Sequence, residues 1–515
     1  MAFSDFPPLQ SFALLGGISF VLLYWILWRT PLHKLPYPPG PPERNLISGN
    51  ISDLSASRPW LVWEEWGKKY GNVLHFRVFN KHTIILNSYE DCVELLEKRS
   101  NIYSDRPKIP ILDLMGWTSF DAAFMPYGPQ WRYHRRLFQQ YFKSEKSVSY
   151  QPVQTKKVND FLYGLLNTPE DFIKHYRTLS AAIIMSLVYD HDVAPKNDFF
   201  VEIVENALGR LSAAAIPGAS LLNAFPILRF TPSWFPGANF KRKAIEAREL
   251  NYQMRDLPLA SVEARMKKER VDCLAADMLE NCQSQDQYTE IASVIVTAYI
   301  GGAETTVSTT GTFFHAMALF PDIQAKAQQE IDSIIGSDHL ISFDDRPSLP
   351  YSEALYRELH RWKPVAPVGI AHAASSDDVY KGYYIPKGAT VIPNIWAITH
   401  DPIKYPNPDM FEPNRFLLKS GELNEKDDEV ISTVFGFGRR ICPGRHLASG
   451  TVWLAIATVL QNFMISKKRD SNGAEIPIIG EYTDGLVCHP QPFECSIAPR
   501  TSSASKIILG SVRTK

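Results

Sequence analysis

Ten residues late in the chain, Phe435-Gly-Phe-Gly-Arg-Arg-Ile-Cys-Pro-Gly444, restrict the fold more than any other stretch. Three glycines in so short a run admit backbone conformations closed to other residues and let the chain approach a flat ligand closely. Pro443 suits a first helical turn, so Cys442 is expected just ahead of a helix that begins near Pro443. Backbone N–H groups and the helix dipole would stabilise a thiolate there, the form of cysteine that ligates metals. Three other readings compete. Gly436-x-Gly438 suggests a dinucleotide loop, but Ile441 stands at the third glycine position and no βαβ unit follows. Cys442 and His446 are four apart, yet two ligands do not make a zinc site. A buried structural cysteine is the plainest alternative, and the decapeptide alone favours it.

Other segments carry further constraints. The apolar run Ile291–Phe320 predicts a long helix, with Gly301-Gly-Ala-Glu-Thr-Thr306 at its middle. Two interior glycines cost about 1 kcal/mol each relative to alanine, which a large flat group pressed on the helix would offset. A Thr hydroxyl distorts such a helix by bonding back to a carbonyl. A surface helix with a polar patch is the competing interpretation. Glu358-Leu-His-Arg361 places Glu358 and Arg361 on one helix face, and Phe411-Glu-Pro-Asn-Arg415-Phe416 follows about fifty residues on. Trp131-Arg-Tyr-His-Arg135 puts Trp131 and Arg135 on one face as well.

In sequence order and spacing these elements resemble the cytochrome P-450 family. The decapeptide is similar to its haem signature F-x-x-G-x-R-x-C-x-G at every fixed position: Phe435, Gly438, Arg440, Cys442 and Gly444. The resemblance spans roughly residues 35–500. It implies haem as the cofactor, with Cys442 as the axial thiolate and metal ligand, Arg440 on a propionate and Phe435 near the sulfur. It implies that Glu304 and Thr305 relay protons to bound dioxygen, with Gly302 making room for it. Trp131 and Arg135 would address a propionate, and His372 the other. Glu358, Arg361 and Arg415 would form a buried structural triad that fixes the loop before the cysteine. Glu304 stands where Asp is commoner in the family, and Asn414 where Glu is common; neither undermines oxygen activation.

The implied architecture is mainly α with small β-sheets (α+β), one large haem domain behind an N-terminal transmembrane helix. The residues agree: helices are expected at 60–70, 89–98, 129–142, 153–166, 170–189, 197–213, 240–269, 288–319 and 321–335. Strands flank Asn80-Lys81 and Lys381-Gly382. No charge interrupts Phe6–Trp28, and Arg29, His33 and Lys34 follow it, the pattern of an anchor with its C-terminal side in the cytosol. Leu35–Pro42 holds five prolines in eight residues, which reads as a stiff spacer. The expected division is an anchor at 1–30, a proline-rich hinge at 31–45, the haem domain at 46–500 and a polar tail at 501–515. Lys and Arg total 54 against 55 Asp and Glu, which excludes a basic nucleic-acid binder. Six cysteines without a C-x-x-C pair exclude a disulfide scaffold or a zinc ribbon.

Pocket positions also follow from the resemblance: Leu112, Met115, Trp117, Phe120 and Phe124 before Trp131, then Ala298 and Tyr299 on the long helix. Val365 and Val368 would lie over the haem, and Leu486 on the floor. The stretch 232–244 mixes aromatics with Lys241, Arg242 and Lys243, as a segment dipping into a membrane surface would. The Tyr380–Phe416 region is similar to fungal microsomal members that tailor secondary metabolites, of the O-methylsterigmatocystin oxidoreductase type. The resemblance therefore implies a monooxygenase in the endoplasmic reticulum membrane, single-pass and facing the cytosol, that oxidises a lipophilic terpenoid, polyketide or indole-type molecule with O2. Its electrons would come from NADPH-cytochrome P-450 reductase, with cytochrome b5 as a further donor. Arg132, Arg136, Lys143, Arg439 and Arg445 are either a docking face for that reductase or ordinary solvated charge. A haem-thiolate isomerase or dehydratase, or a non-catalytic haem-binding membrane protein, is the alternative.

Overall fold

The computed structural model describes residues 35–513, apart from 56, 195–196, 216–220, 337–338 and 426–428. The expected anchor, residues 1–30, and the hinge up to residue 34 lie outside the described residues. The principal helices are α1 (Pro59–Tyr70), α2 (Pro129–Phe142), α3 (Gln151–Asn167), α4 (Phe172–Tyr189), α5 (Phe199–Ala215), α6 (Asn239–Met266), α7 (Gln285–Leu319), α8 (Pro321–Ile334), α9 (Pro350–Trp362), α10 (Arg445–Asn462) and α11 (Ser502–Arg513). The strands are β1 (Val73–Val78), β2 (Lys81–Leu86), β3 (His372–Ala373), β4 (Asp378–Tyr380), β5 (Tyr383–Ile385), β6 (Thr390–Pro393), β7 (Phe463–Lys467) and β8 (Cys495–Pro499).

Helix α7 organises the rest. Its 35 residues span about 52 Å at 1.5 Å per residue. Among the described residues it alone is long and apolar enough to cross a membrane, yet α4, α6 and α10 pack around it. Every residue from Thr306 to Ala318 is buried, the pattern of a helix at the centre of a large core. That core is continuous from Ile111 to Ile508.

The sheets are small. One has the order β1-β2-β6-β3, with β2 and β6 parallel, so residues 73–86 and 372–393 are joined across most of the chain. Its first turn is Phe79-Asn80, one residue earlier than expected, because Lys81 already pairs with Val78 and Phe79 takes a φ of 52°. The β4–β5 turn falls at Lys381-Gly382, where φ is 50° and 81°, the conformation a two-residue hairpin requires.

Two expectations at the ends of the domain are corrected. The described part of the proline-rich stretch does not stand off from the domain as a stiff spacer but docks on it. The Pro36 and Pro39 carbonyls accept the N–H groups of Tyr384 (2.8 Å) and His75 (3.0 Å). The Tyr37 ring stacks on His75 and His82 at 4.7 and 4.9 Å between centroids. At Gly40 a Cβ would fall 1.8 Å from the His75 carbonyl oxygen, so only glycine fits. Proline has no N–H to donate but keeps its carbonyl, and this extended segment docks through carbonyls and rings. The expected polar tail is also ordered: α11 packs on α3 with Ala504 and Ile508, four apart, buried on one face.

Candidate active site

The decapeptide closes on itself through the Cys442 N–H, which donates to the Phe435 carbonyl at 2.8 Å. A 3-10 turn covers Gly438–Arg440, and α10 begins at Arg445, two residues later than expected, with Gly444 as its N-cap. Gly438 takes a φ of 56°, and a Cβ there would meet the Leu96 carbonyl oxygen at 2.1 Å. This glycine therefore seats the loop against the helical segment Val93–Lys98 rather than against a flat ligand. Burial pushes the Cys442 thiol up, against the opposing pull of the Gly444 N–H and of Arg135 and Arg445. The helix-terminal environment thus favours the thiolate, as expected, without outweighing burial; coordination by a metal removes a thiol proton outright.

Cys442 lines a cavity of about 790 Å³, together with Phe435, Gly436, Phe437, Arg440, Pro443 and Gly444. Helix α7 supplies another wall, from Thr297 to Thr309, and α4 adds Ile183 and Ile184. Three buried or largely buried guanidiniums border the same space without an ion-pair partner among the described residues. Arg440 donates to the carbonyls of Ser104, Ala122 and Met125 at 2.8, 3.0 and 2.9 Å. Arg135 donates to Ile441 O at 2.6 Å, and Arg106 to Ala123, Ile370 and Ala371 O at 2.7 to 2.8 Å. Burial lowers all three, Arg440 to about 8 and Arg106 to about 10. Buried cations without carboxylates call for an anionic ligand, and with the single thiol they fit a flat dicarboxylate metal complex such as haem. Arg440, Arg135 and Arg106 are the residues that would hold its carboxylates, and Cys442 its metal.

The other expected partners are engaged differently. The Trp131 indole N–H donates to the Ala122 carbonyl at 3.2 Å, and its ring carries Arg440 at 4.3 Å. Trp131 therefore positions Arg440. His372 Nδ1 lies 2.8 Å from the Tyr103 carbonyl and must donate to it, which leaves Nε2 an acceptor. Burial, reinforced by Arg106, holds His372 well below the usual histidine range. His372 and Arg106 border the same cavity, and Arg106 adds a cation there that the motifs do not include. The Asp105-Arg106-Pro107 sequence offered one signal for it, a lone cation before a proline.

On α7, the Thr305 hydroxyl bonds back to the Gly301 carbonyl at 2.7 Å. Glu304 lies 3.1 Å from His489 Nε2 and 3.9 Å from Arg177. Its carboxyl is lowered overall: burial raises it, and His489 and Arg177 together outweigh burial. Gly302 lines the cavity, but a Cβ there would meet Ile184 at 2.9 Å. Ser180 Oγ lies 2.8 Å from the Gly302 and Ala303 carbonyls. The glycine thus admits α4 close to α7 while it lines the cavity.

Of the expected pocket positions, Phe124, Ala298, Val365 and Leu486 line the cavity. Leu112, Met115, Trp117 and Phe120 do not; they are buried in the main core, where Asn251 of α6 donates to the Met115 carbonyl at 2.9 Å and Tyr252 meets Phe120. Tyr299 faces the Tyr189 ring instead, and Val368 packs with Trp63, Leu74, Phe76 and Ile85. Arg177, Asp121, Thr297 and His489 line the cavity without having been anticipated. Their polarity gave no periodic signal that could separate them from surface residues.

Beneath the site, Arg361 donates to both Glu358 oxygens at 2.6 and 2.8 Å, and Arg415 approaches the same carboxylate at 3.3 Å. Glu412 N–H adds a bond of 2.7 Å. Glu358 and Arg361 are both fully buried, and burial raises the Glu358 carboxyl despite these donors.

Such a helical body, with a cysteine loop, a central helix carrying Glu and Thr, and a buried Glu–Arg pair, defines a haem-thiolate oxygenase. The chain belongs to the cytochrome P-450 family, which it matches over residues 38–497. It is similar to the cytochrome P-450 monooxygenase COX1 of Coprinopsis cinerea, 36% identical over 95% of this chain and 97% of the relative. It is also similar to the monooxygenase claR of Ampulloclitocybe clavipes, 38% identical over 95% and 91%, and to ple1 of Rhodocybe pseudopiperita, 38% identical over 98% and 96%. It is accordingly an oxidoreductase of the monooxygenase type with haem as its cofactor.

Proposed function

We propose that this protein is a membrane-anchored monooxygenase that oxidises a lipophilic metabolite in fungal secondary metabolism. The observation that carries this reading is one largely apolar cavity bounded by Cys442 on its loop and by Glu304 and Thr305 on α7. A thiolate-ligated haem supplies electron density that favours O–O cleavage. The chain's own residues do the rest. Arg106, Arg135 and Arg440 orient the cofactor through its carboxylates. Ala298, Val365, Leu486 and Phe124 exclude water from the substrate side. Glu304 holds a proton site beside the Thr305 hydroxyl, whose lone pairs are free to accept while its proton rests on Gly301 O.

NADPH is the electron source in this reading, through NADPH-cytochrome P-450 reductase and with cytochrome b5 as a further donor, in the endoplasmic reticulum membrane with the domain in the cytosol. Ile227, Phe230 and Trp234 are 72 to 78% exposed beside Lys241 and Arg242, which supports contact of this segment with a membrane surface. The Glu304–Thr305 pair on the cavity wall favours oxygen chemistry over a haem-thiolate isomerase or dehydratase.

The test is turnover of terpenoid, polyketide and indole metabolites by the holoprotein with reductase and NADPH. Product that forms equally well without NADPH would defeat the monooxygenase reading of the substrate. Cys442→Ala is expected to abolish the red-shifted Soret band of the ferrous–CO complex. Thr305→Ala is expected to lower the product formed per NADPH oxidised; unchanged coupling would remove its proton role.

A further inference from the structure

His489 lies outside every family motif in the chain, yet it makes the closest polar contact to Glu304, at 3.1 Å. It sits on a loop that is fixed on both sides. The Thr483 N–H donates to the His489 carbonyl at 2.8 Å, and the His489 N–H returns to Thr483 Oγ1 at 2.9 Å. Next to it, the Cys488 N–H donates to Val365 O at 2.8 Å, and its carbonyl accepts from Ser308 Oγ. Glu304 and Ser308 are four apart and so share one face of α7. Between the two anchors the loop presents Leu486 and Val487 to the cavity. One short segment therefore floors the ligand space and grips the acid.

We infer that His489 is a positioning residue that clasps Glu304, tying the acid's orientation and protonation to the loop on which the ligand rests. The inference rests on the proposed proton role of Glu304. The groups that face this carboxylate are His489 from the loop and Arg177 from α4, itself 4.0 Å from Glu205 of α5. Arg177 is the more distant of the two contacts and is shared with Glu205, so the histidine sets the nearer oxygen. A carboxylate that loses a hydrogen-bonding neighbour takes up its proton at higher pH.

The test needs no identified substrate. Full-length holoprotein and purified reductase reduce O2 at the expense of NADPH. Peroxide formation consumes one NADPH and one H⁺ per O2, and water formation consumes two of each. The ratio of NADPH oxidised to O2 consumed, followed from pH 3.5 to 7.5 so that the range brackets a carboxyl held below its usual value, reports how protons reach the site. His489→Ala is expected to raise the midpoint of this pH dependence by about one pH unit. His489→Gln, which keeps an N–H donor, is expected to recover at least half of that displacement. Ser308→Ala loosens the same loop without touching Glu304 and is expected to leave the midpoint in place.

A wild-type midpoint in His489→Ala overturns the inference, and so does an equal displacement in Ser308→Ala, which would assign the effect to the loop. If Glu304→Gln keeps the wild-type profile, the proton role of Glu304 fails and the clasp falls with it. If Glu304→Gln alters the profile and His489→Ala does not, only the clasp fails. The ferrous–CO spectrum of each variant serves as the folding control.

Discussion

Glu358 and Arg361 show how much of this molecule rests on single charges placed out of water. Arg361 uses its remaining donors on the carbonyls of Thr399 (3.1 Å) and Met410 (3.0 Å), so the pair also ties two distant loops to α9. Arg361→Ala leaves a buried carboxylate with only Arg415 and one N–H, which is expected to cost about 3–5 kcal/mol. A urea denaturation midpoint close to wild type would contradict this. His315 is the counterpart on the neutral side. It is 2% exposed among Trp362, Tyr482 and Phe493. Burial and then Lys363 lower its pKa from 6.5 to about 4. Between those values the unfolded chain binds a proton that the folded chain refuses, so its contribution is complete above pH 6.5 and shrinks as pH falls toward 4. The loss approaches about 3 kcal/mol at full extent. His315→Gln is expected to flatten its share of that slope in denaturation measured at pH 7 and pH 5.

At the scale of elements, legibility followed locality. The 129–142 helix falls where its sequence places it, because Pro129 opens it and Trp131, His134, Phe138, Tyr141 and Phe142 recur on one buried face. Arg440, Arg135 and the Glu304–Thr305 pair, which border the cavity with Cys442, are legible for the same reason, since each motif is a short spacing with its own chemistry. The β2–β6 pairing was not, because no local signal links residues 83–86 to 390–393. Nor could spacing tell Phe124, on the cavity, from Phe120, in the core: both are apolar and face inward, and only α6 packing over the latter separates them. The C-terminal segment reads as a polar tail because its serines mask an apolar stripe, which carries the buried Ala504 and Ile508. Ile508→Ala in α11 is expected to destabilise the protein by about 2–5 kcal/mol, visible in the thermal midpoint; a change under about 0.5 kcal/mol, typical of surface sites, would show that α11 does not dock.

For the whole molecule, the proline-rich stretch has a consequence at its own boundary. Residues 36–42 are stitched to β1, β5 and Asn50, which donates to the Pro41 and Pro42 carbonyls at 3.3 and 3.1 Å. The docked part of the stretch therefore begins at Pro36, already held on β5, with Leu35 just ahead of it. That makes Leu35 the natural splice point for exchanging leaders. A splice after Pro42 would strip Tyr37 from two imidazoles and lay bare the edge it covers.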